Sequence, residues 1–175
     1  MEEFTSGKLQ ANGIEISYVE KGEGPLILCC HGFPESWYSW RHQIPALAAA
    51  GFRAVALDMR GYGGTSKPAE IKAYSISNLV GDAVQAVNAL GDSSAVIMGH
   101  DWGAPVAWYA SLMRPDVFRA VIGLSVPYSP PASFPEGIDL NQVMKMNAGE
   151  RDYYRLYFQE PGIAEADLEA DVRKT

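Results

Sequence analysis

A chain of 175 residues that is 47% hydrophobic and 20% charged is long enough to bury one core of moderate size and has the composition of an ordinary globular domain. Its formal net charge of −7 argues against binding nucleic acid through phosphates, because no basic stripe is available to release counterions. No apolar run approaches the length needed to span a bilayer. The N-terminus, Met1-Glu2-Glu3-Phe4, lacks the basic-then-apolar layout of a signal peptide.

In chain order, Gln10 to Glu20 alternates around Asn12-Gly13 and predicts a hairpin at the edge of a sheet. Leu26-Ile27-Leu28-Cys29-Cys30 reads as a buried strand whose two cysteines point to opposite faces. Both are expected as reduced core residues, which fits a cytosolic, cytoplasmic protein. Trp37 to Ala50 predicts one helix closed by Gly51, and Arg53 to Asp58 the next strand. Gly61 to Pro68 is a glycine-rich loop, and Ser77 to Leu90 a helix stopped at Gly91. Ala95 to Met98 predicts a strand, Trp102 to Met113 a helix with Pro115 beyond, and Arg119 to Val126 a further strand. Strands alternating with helices imply a mostly parallel sheet with crossover helices. Pro127, Pro130, Pro131 and Pro135 then mark a change of unit. From Asn141 onward the pattern turns helical and rich in tyrosine and acid.

Gly99-His100-Asp101-Trp102-Gly103-Ala104 joins an apolar strand to an apolar helix. Small residues on both sides of Asp101 permit the sharp strand-to-helix elbow that thrusts one side chain out at the top of a sheet. A carboxylate held there is a covalent nucleophile of the kind that forms an ester with an electrophilic carbon. A second motif, His31-Gly32-Phe33-Pro34-Glu35, follows the first buried strand. In an α/β-hydrolase fold that loop supplies one oxyanion-hole N–H and the residue after the nucleophile supplies the other. Here the donors are the amides of Phe33 and Trp102. Gly32 permits close approach and Pro34 stiffens the turn beyond it.

Three strings, His31 to Arg41, Asp58-Met59-Arg60-Gly61-Tyr62-Gly63-Gly64-Thr65-Ser66 and Gly99 to Gly103, together resemble the soluble epoxide hydrolases of the α/β-hydrolase superfamily. A fourth, Tyr157-Phe158-Gln159-Glu160-Pro161-Gly162, resembles the lid segment of that family. The resemblance runs from about Gly13 to the last residue, and four strings in family order make it specific. It implies an α/β-hydrolase core over 1–127, incomplete at its C-terminal side, and the first part of a helical cap or lid over 128–175. The expected reaction is epoxide plus water to a vicinal diol, through an ester on Asp101. The family uses two lid tyrosines to hold the epoxide oxygen, and the register of the fourth string falls on Tyr154, with Tyr153 and Tyr157 as rivals. A phenol does this as a neutral donor at pH 7. No metal or organic cofactor is implied, and the substrate is expected to be a small apolar epoxide. Trp37, with Trp40, Phe33 and Trp102, suggests an aromatic-lined pocket.

Other residues are read as structural. Gly61-Tyr62-Gly63-Gly64 lacks the lysine and serine of a P-loop. His31 and His100 flank the two donor loops as supporting groups, and His42 lies in a helix facing the surface or a groove. Hydrolysis of the ester needs a histidine base and an acid partner, which in this superfamily follow the nucleophile along the chain. No histidine follows Asp101 here, and Pro127-Tyr128 offers no carboxylate after the strand ending at Val126. The expectation is therefore a chain that stops before its base and is inactive alone. Two alternatives stay open. A haloalkane dehalogenase shares the aspartate and the adjacent tryptophan but usually carries asparagine at the position of Phe33. A non-catalytic fragment would bind apolar ligands, react once at Asp101, or fail to fold.

Overall fold

The computed structural model describes residues 4–130, 140–148, 154–171 and 173. The chain falls into two compact units, Met1–Tyr128 and Ser129–Thr175. In the first, β1 (Thr5–Ala11) and β2 (Ile14–Lys21) form a hairpin whose turn, Asn12-Gly13, has positive φ at both residues. This is the backbone that Asn-Gly adopts readily in a two-residue turn. β3 (Leu26–Cys30), β4 (Arg53–Leu57), β5 (Ala95–His100) and β6 (Phe118–Leu124) complete a six-stranded sheet. Its order is β1-β2-β4-β3-β5-β6, with the hairpin antiparallel and the remaining strands parallel.

The central strands read as unbroken apolar runs because both of their faces are covered. Alternate residues go to opposite cores. Leu28, Cys30, Val55 and Ile97 join the helices α2 (Ile76–Ala89) and α3 (Gly103–Met113) on one side. Ile27, Cys29, Ala54, Ala56 and Met98 meet Trp40 and Ile44 on the other. Each fully buried aliphatic side chain contributes about 1.5–3 kcal/mol to this arrangement. Cys29 and Cys30 are free and buried on opposite faces, as expected from a strand. Burial drives the Cys29 thiol well above its ordinary range and pushes that of Cys30 up to about 12, so both stay protonated.

One helix differs from the sequence expectation. Trp37 to Ala50 is not continuous but splits into a 3-10 turn, Trp37–Trp40, and helix α1, Gln43–Ala49. Pro45 is the cause. It has no N–H to give to the carbonyl four residues earlier, and its ring crowds that carbonyl, so an α-helix containing it must restart with Pro45 in its first turn. His42 consequently caps α1 and is exposed rather than sitting inside a helix. Gly51 ends the helix with φ 86°. A buried ion pair locks the loop after β4 to α2: Arg60 donates through Nε to Asp82 Oδ2 (2.8 Å) and through a terminal nitrogen to Asp82 Oδ1 (2.6 Å). Asn12 Nδ2 donates to the same Asp82 Oδ1 at 2.8 Å.

The second unit contains α4 (Leu140–Ala148), α5 (Tyr154–Tyr157) and α6 (Ile163–Glu169). α6 opens at Gly162, whose N–H donates to Glu165 Oε2 at 2.7 Å. Pro131, Pro135 and Tyr153, named above from the sequence, lie outside the described residues. No described helix is long and apolar enough to cross a membrane.

Candidate active site

β5 delivers the chain to the elbow. Asp101 takes φ 49°, a backbone region that non-glycine residues rarely enter and that marks a site held by its surroundings. The turn closes tightly: Ala104 N–H donates to Asp101 O at 3.0 Å, and Asp101 N–H donates to Leu124 O at 3.3 Å on β6. The small residues are steric requirements. A Cβ on Gly99 would collide with the Gly103 carbonyl, and one on Gly103 would collide with the carbonyls of Cys30 and His31.

The loop after β3 meets this elbow. Phe33 N–H donates to Asp101 Oδ1 at 3.0 Å. A Cβ on Gly32 would run into the Asp101 side chain, so glycine is what lets the two loops approach. The Phe33–Pro34 peptide is cis. Trp102 follows directly as the first cap of α3, with its side chain 47% exposed.

His31 is buried and fully engaged. Met59 N–H donates to its Nε2 at 3.0 Å, which places the ring proton on Nδ1, where it is given to Gly32 O at 2.8 Å. Burial lowers its pKa from the ordinary histidine value. Its ring also stands edge-on to Tyr62, with centroids 4.8 Å apart. Burial, then the charge of Asp101, raise the Tyr62 phenol's pKa and keep it neutral. Trp37 begins the 3-10 turn with its N–H on Asp58 Oδ1 (3.0 Å) and its ring edge-on to Phe4 and Tyr38. Asp58 is buried and also accepts from Gly64 N–H at 2.9 Å, tying the glycine-rich loop to that turn.

Glu35 was missing from the residues singled out by sequence as part of the site. Its Oε2 accepts Gly32 N–H at 3.0 Å, and its Oε1 takes His100 Nδ1 at 2.8 Å. One carboxylate thus braces the residue before Phe33 against the residue before Asp101. The available signal was an acid three residues after a glycine, a spacing that lets a side chain reach back to an amide. Tyr154 lies in α5 of the second unit, 44% exposed, packed edge-on to Phe158 and accepting a bond from Arg155 Nε at 3.2 Å. Its rival Tyr157 donates to Asp167 Oδ2 at 3.4 Å. Among the described residues no cluster of three or more His, Cys, Asp or Glu could hold a metal ion.

A family model described as the alpha/beta hydrolase fold matches residues 25–163. Bifunctional epoxide hydrolase 2 of Sus scrofa is 49% identical over 163 residues, covering 93% of this chain and 28% of that protein. Epoxide hydrolase A of Mycobacterium tuberculosis (strain ATCC 25618 / H37Rv) is 47% identical, covering 98% of this chain and 52% of that protein. A solved epoxide hydrolase from an endophytic Streptomyces superposes with a TM-score of 0.92 at 48% identity, over 99% of this chain and 51% of that one. One from Vigna radiata gives 0.89 at 46% identity, over 96% and 53%. The chain therefore spans about half the length of these solved structures and of the mycobacterial relative, and less of the porcine one. With an aspartate at its elbow and an N–H donor loop facing it, this chain belongs to the α/β hydrolase fold family, and its similarity within that family is to epoxide hydrolases.

Proposed function

We propose that the chain carries the nucleophile portion of an epoxide hydrolase, which adds water to a small apolar epoxide to give a vicinal diol. One observation carries the reading: a carboxylate at a strand-to-helix elbow whose Oδ1 already accepts the Phe33 N–H at 3.0 Å. That bond leaves Oδ2 as the attacking oxygen. Oδ2 displaces the epoxide C–O bond from behind, and the freed oxygen takes a proton from a phenol, for which Tyr154 is the proposed donor. The product is a 2-hydroxyalkyl ester whose carbonyl oxygen is Oδ1. Water then adds to the ester carbon, with charge on Oδ1 held by the Phe33 and Trp102 amides, and the diol leaves as the carboxylate reforms. The proton from water requires a histidine base. His31 has both ring nitrogens engaged and His100 faces Glu35, so neither is assigned that role.

In this reading 1–127 is the core portion and 128–175 the opening of a helical cap, with Trp37 in the pocket wall. Cys29 and Cys30, buried and held on opposite faces, fit a reducing, cytoplasmic location. The names borne by relatives at 47 and 49% identity support the epoxide over the alkyl halide as substrate. The test is to expose the chain to a terminal epoxide and to the matching alkyl chloride and measure intact mass. The expected result is an adduct of the whole epoxide mass and no reaction with the chloride. Preferential reaction with the chloride, with loss of HCl, would put a dehalogenase first.

A further inference from the structure

We propose that Ser125 is a positioning residue for the elbow: its left-handed turn ends β6 where the strand would otherwise capture the Asp101 carbonyl. This deepens the function proposed above and rests on it. Among the described residues only Asn12, Asp101 and Ser125 combine a side chain with positive φ, which is 71° at Ser125. Val126 N–H donates across Ser125 to Leu124 O at 2.9 Å, so the three residues form a γ-turn of the rare, strained hand. Such a backbone persists only where its surroundings hold it. Trp108 on α3 supplies the hold. Its indole Nε1 donates to Val126 O at 3.0 Å, and a Cβ on Gly123 would collide with the same ring. One side chain thus clasps the chain on both sides of Ser125.

The strand register shows what the turn prevents. β5 and β6 run parallel with His100 opposite Leu124. In that register Asp101 N–H donates to Leu124 O, as it does at 3.3 Å. The evenly spaced bonds of a parallel ladder would place the next one from Val126 N–H to Asp101 O. The γ-turn folds Val126 N–H back onto Leu124 O instead. Asp101 O is left to accept Ala104 N–H at 3.0 Å, the bond that closes the elbow and opens α3. An extended residue at 125 would set the sheet against the helix for that carbonyl, and the Asp101 carboxylate would shift with its backbone. Ser125 therefore acts on the reacting group only through the φ that its side chain allows.

The full chain is compared with Ser125→Gly, Ser125→Thr and Ser125→Val, each confirmed folded by circular dichroism. Glycine enters the left-handed region freely, and β-branched residues resist it. Single-turnover ester formation with a terminal epoxide, followed by intact mass, is resolved into a rate at saturation and a half-saturating concentration. Ser125→Gly is expected to keep the wild-type rate. Ser125→Val is expected to lose about tenfold in the rate at saturation with the half-saturating concentration unchanged, a split that lost stability alone does not give. Ser125→Thr should fall in the same direction and keeps the test decisive if Ser125→Val does not fold. Equal rates across the series, or a loss in Ser125→Gly as large as in the β-branched variants, overturn the role. Amide hydrogen exchange reads the turn without the chemistry: Ala104 N–H should exchange faster in the β-branched variants, and unchanged exchange overturns the turn's hold on the elbow. If no ester forms in the wild type, it is the proposed function that has failed, while the Ala104 amide still decides the turn.

Discussion

Phe33 and Asp101 stand 68 residues apart in the chain and are joined by one hydrogen bond, from the Phe33 N–H to Asp101 Oδ1 at 3.0 Å. The bond distinguishes the two carboxylate oxygens; in the proposed reaction Oδ1 is the oxygen on which charge would develop in a tetrahedral intermediate, and Oδ2 the one that would attack. Two parallel strands, β3 and β5, are neighbours in the sheet and end side by side, so the fold itself brings the donor loop to the elbow.

Gly32 is a tight point of that approach, since a Cβ there would meet Asp101 Cβ, Cγ and Oδ1. Gly32→Ala is expected to lower the rate of ester formation by about 100-fold, because a displacement of around 1 Å at reacting atoms costs on that order. Circular dichroism should show the fold retained. The rate is read by intact mass against time under single-turnover conditions.

The Arg60–Asp82 pair is 5% and 7% exposed at its side chains. Removing one partner strands a buried charge, so Asp82→Leu or Arg60→Met should each destabilise the chain by about 3–5 kcal/mol. The double variant should lose much less than the sum of the two. Urea unfolding of the three variants measures this.

His31 links stability to pH. Burial lowers its folded pKa below the ordinary value, so the unfolded chain binds the proton first as pH falls. Stability from this residue is full above about pH 6.5 and declines as pH drops from there through the lowered folded value. Protonation would also turn Nε2 from an acceptor into a donor facing Met59 N–H. Urea midpoints measured from pH 7.5 to 5 should fall in the wild type, and the slope assigned to this window should vanish in His31→Gln.

Tyr154 is proposed as the proton donor to the opening epoxide. Tyr154→Phe should slow ester formation by about 100-fold, whereas Tyr157→Phe, whose hydroxyl is turned to Asp167, should change it little. The reverse ranking would reassign the role.

Much of the core was legible in the sequence because its signals are local. Apolar runs at β3, β4 and β5 mark strands covered on both faces, and small residues around Asp101 mark an elbow. The division of the helix near Pro45 was missed because the apolar pattern runs straight through the proline, although the missing N–H forbids a continuous helix. The roles of Glu35 and Asp58, though both stand in the quoted strings, were missed for another reason. Each is an acid in a loop that would ordinarily face water, and each gains its role only when the fold brings a distant group to it: His100 to Glu35 and Trp37 N–H to Asp58. Among Tyr153, Tyr154 and Tyr157 periodicity gave no choice, since a helical pattern shows which residues share a face and not which phenol serves a reaction.

The central claim is that Asp101 is a covalent nucleophile toward epoxides, and peptide mapping after exposure to a terminal epoxide tests it most directly. A single adduct is expected on the peptide containing Asp101, absent from Asp101→Asn and released by mild base as an ester should be. An unlabelled Asp101 peptide, or equal labelling of Asp101→Asn, would contradict it.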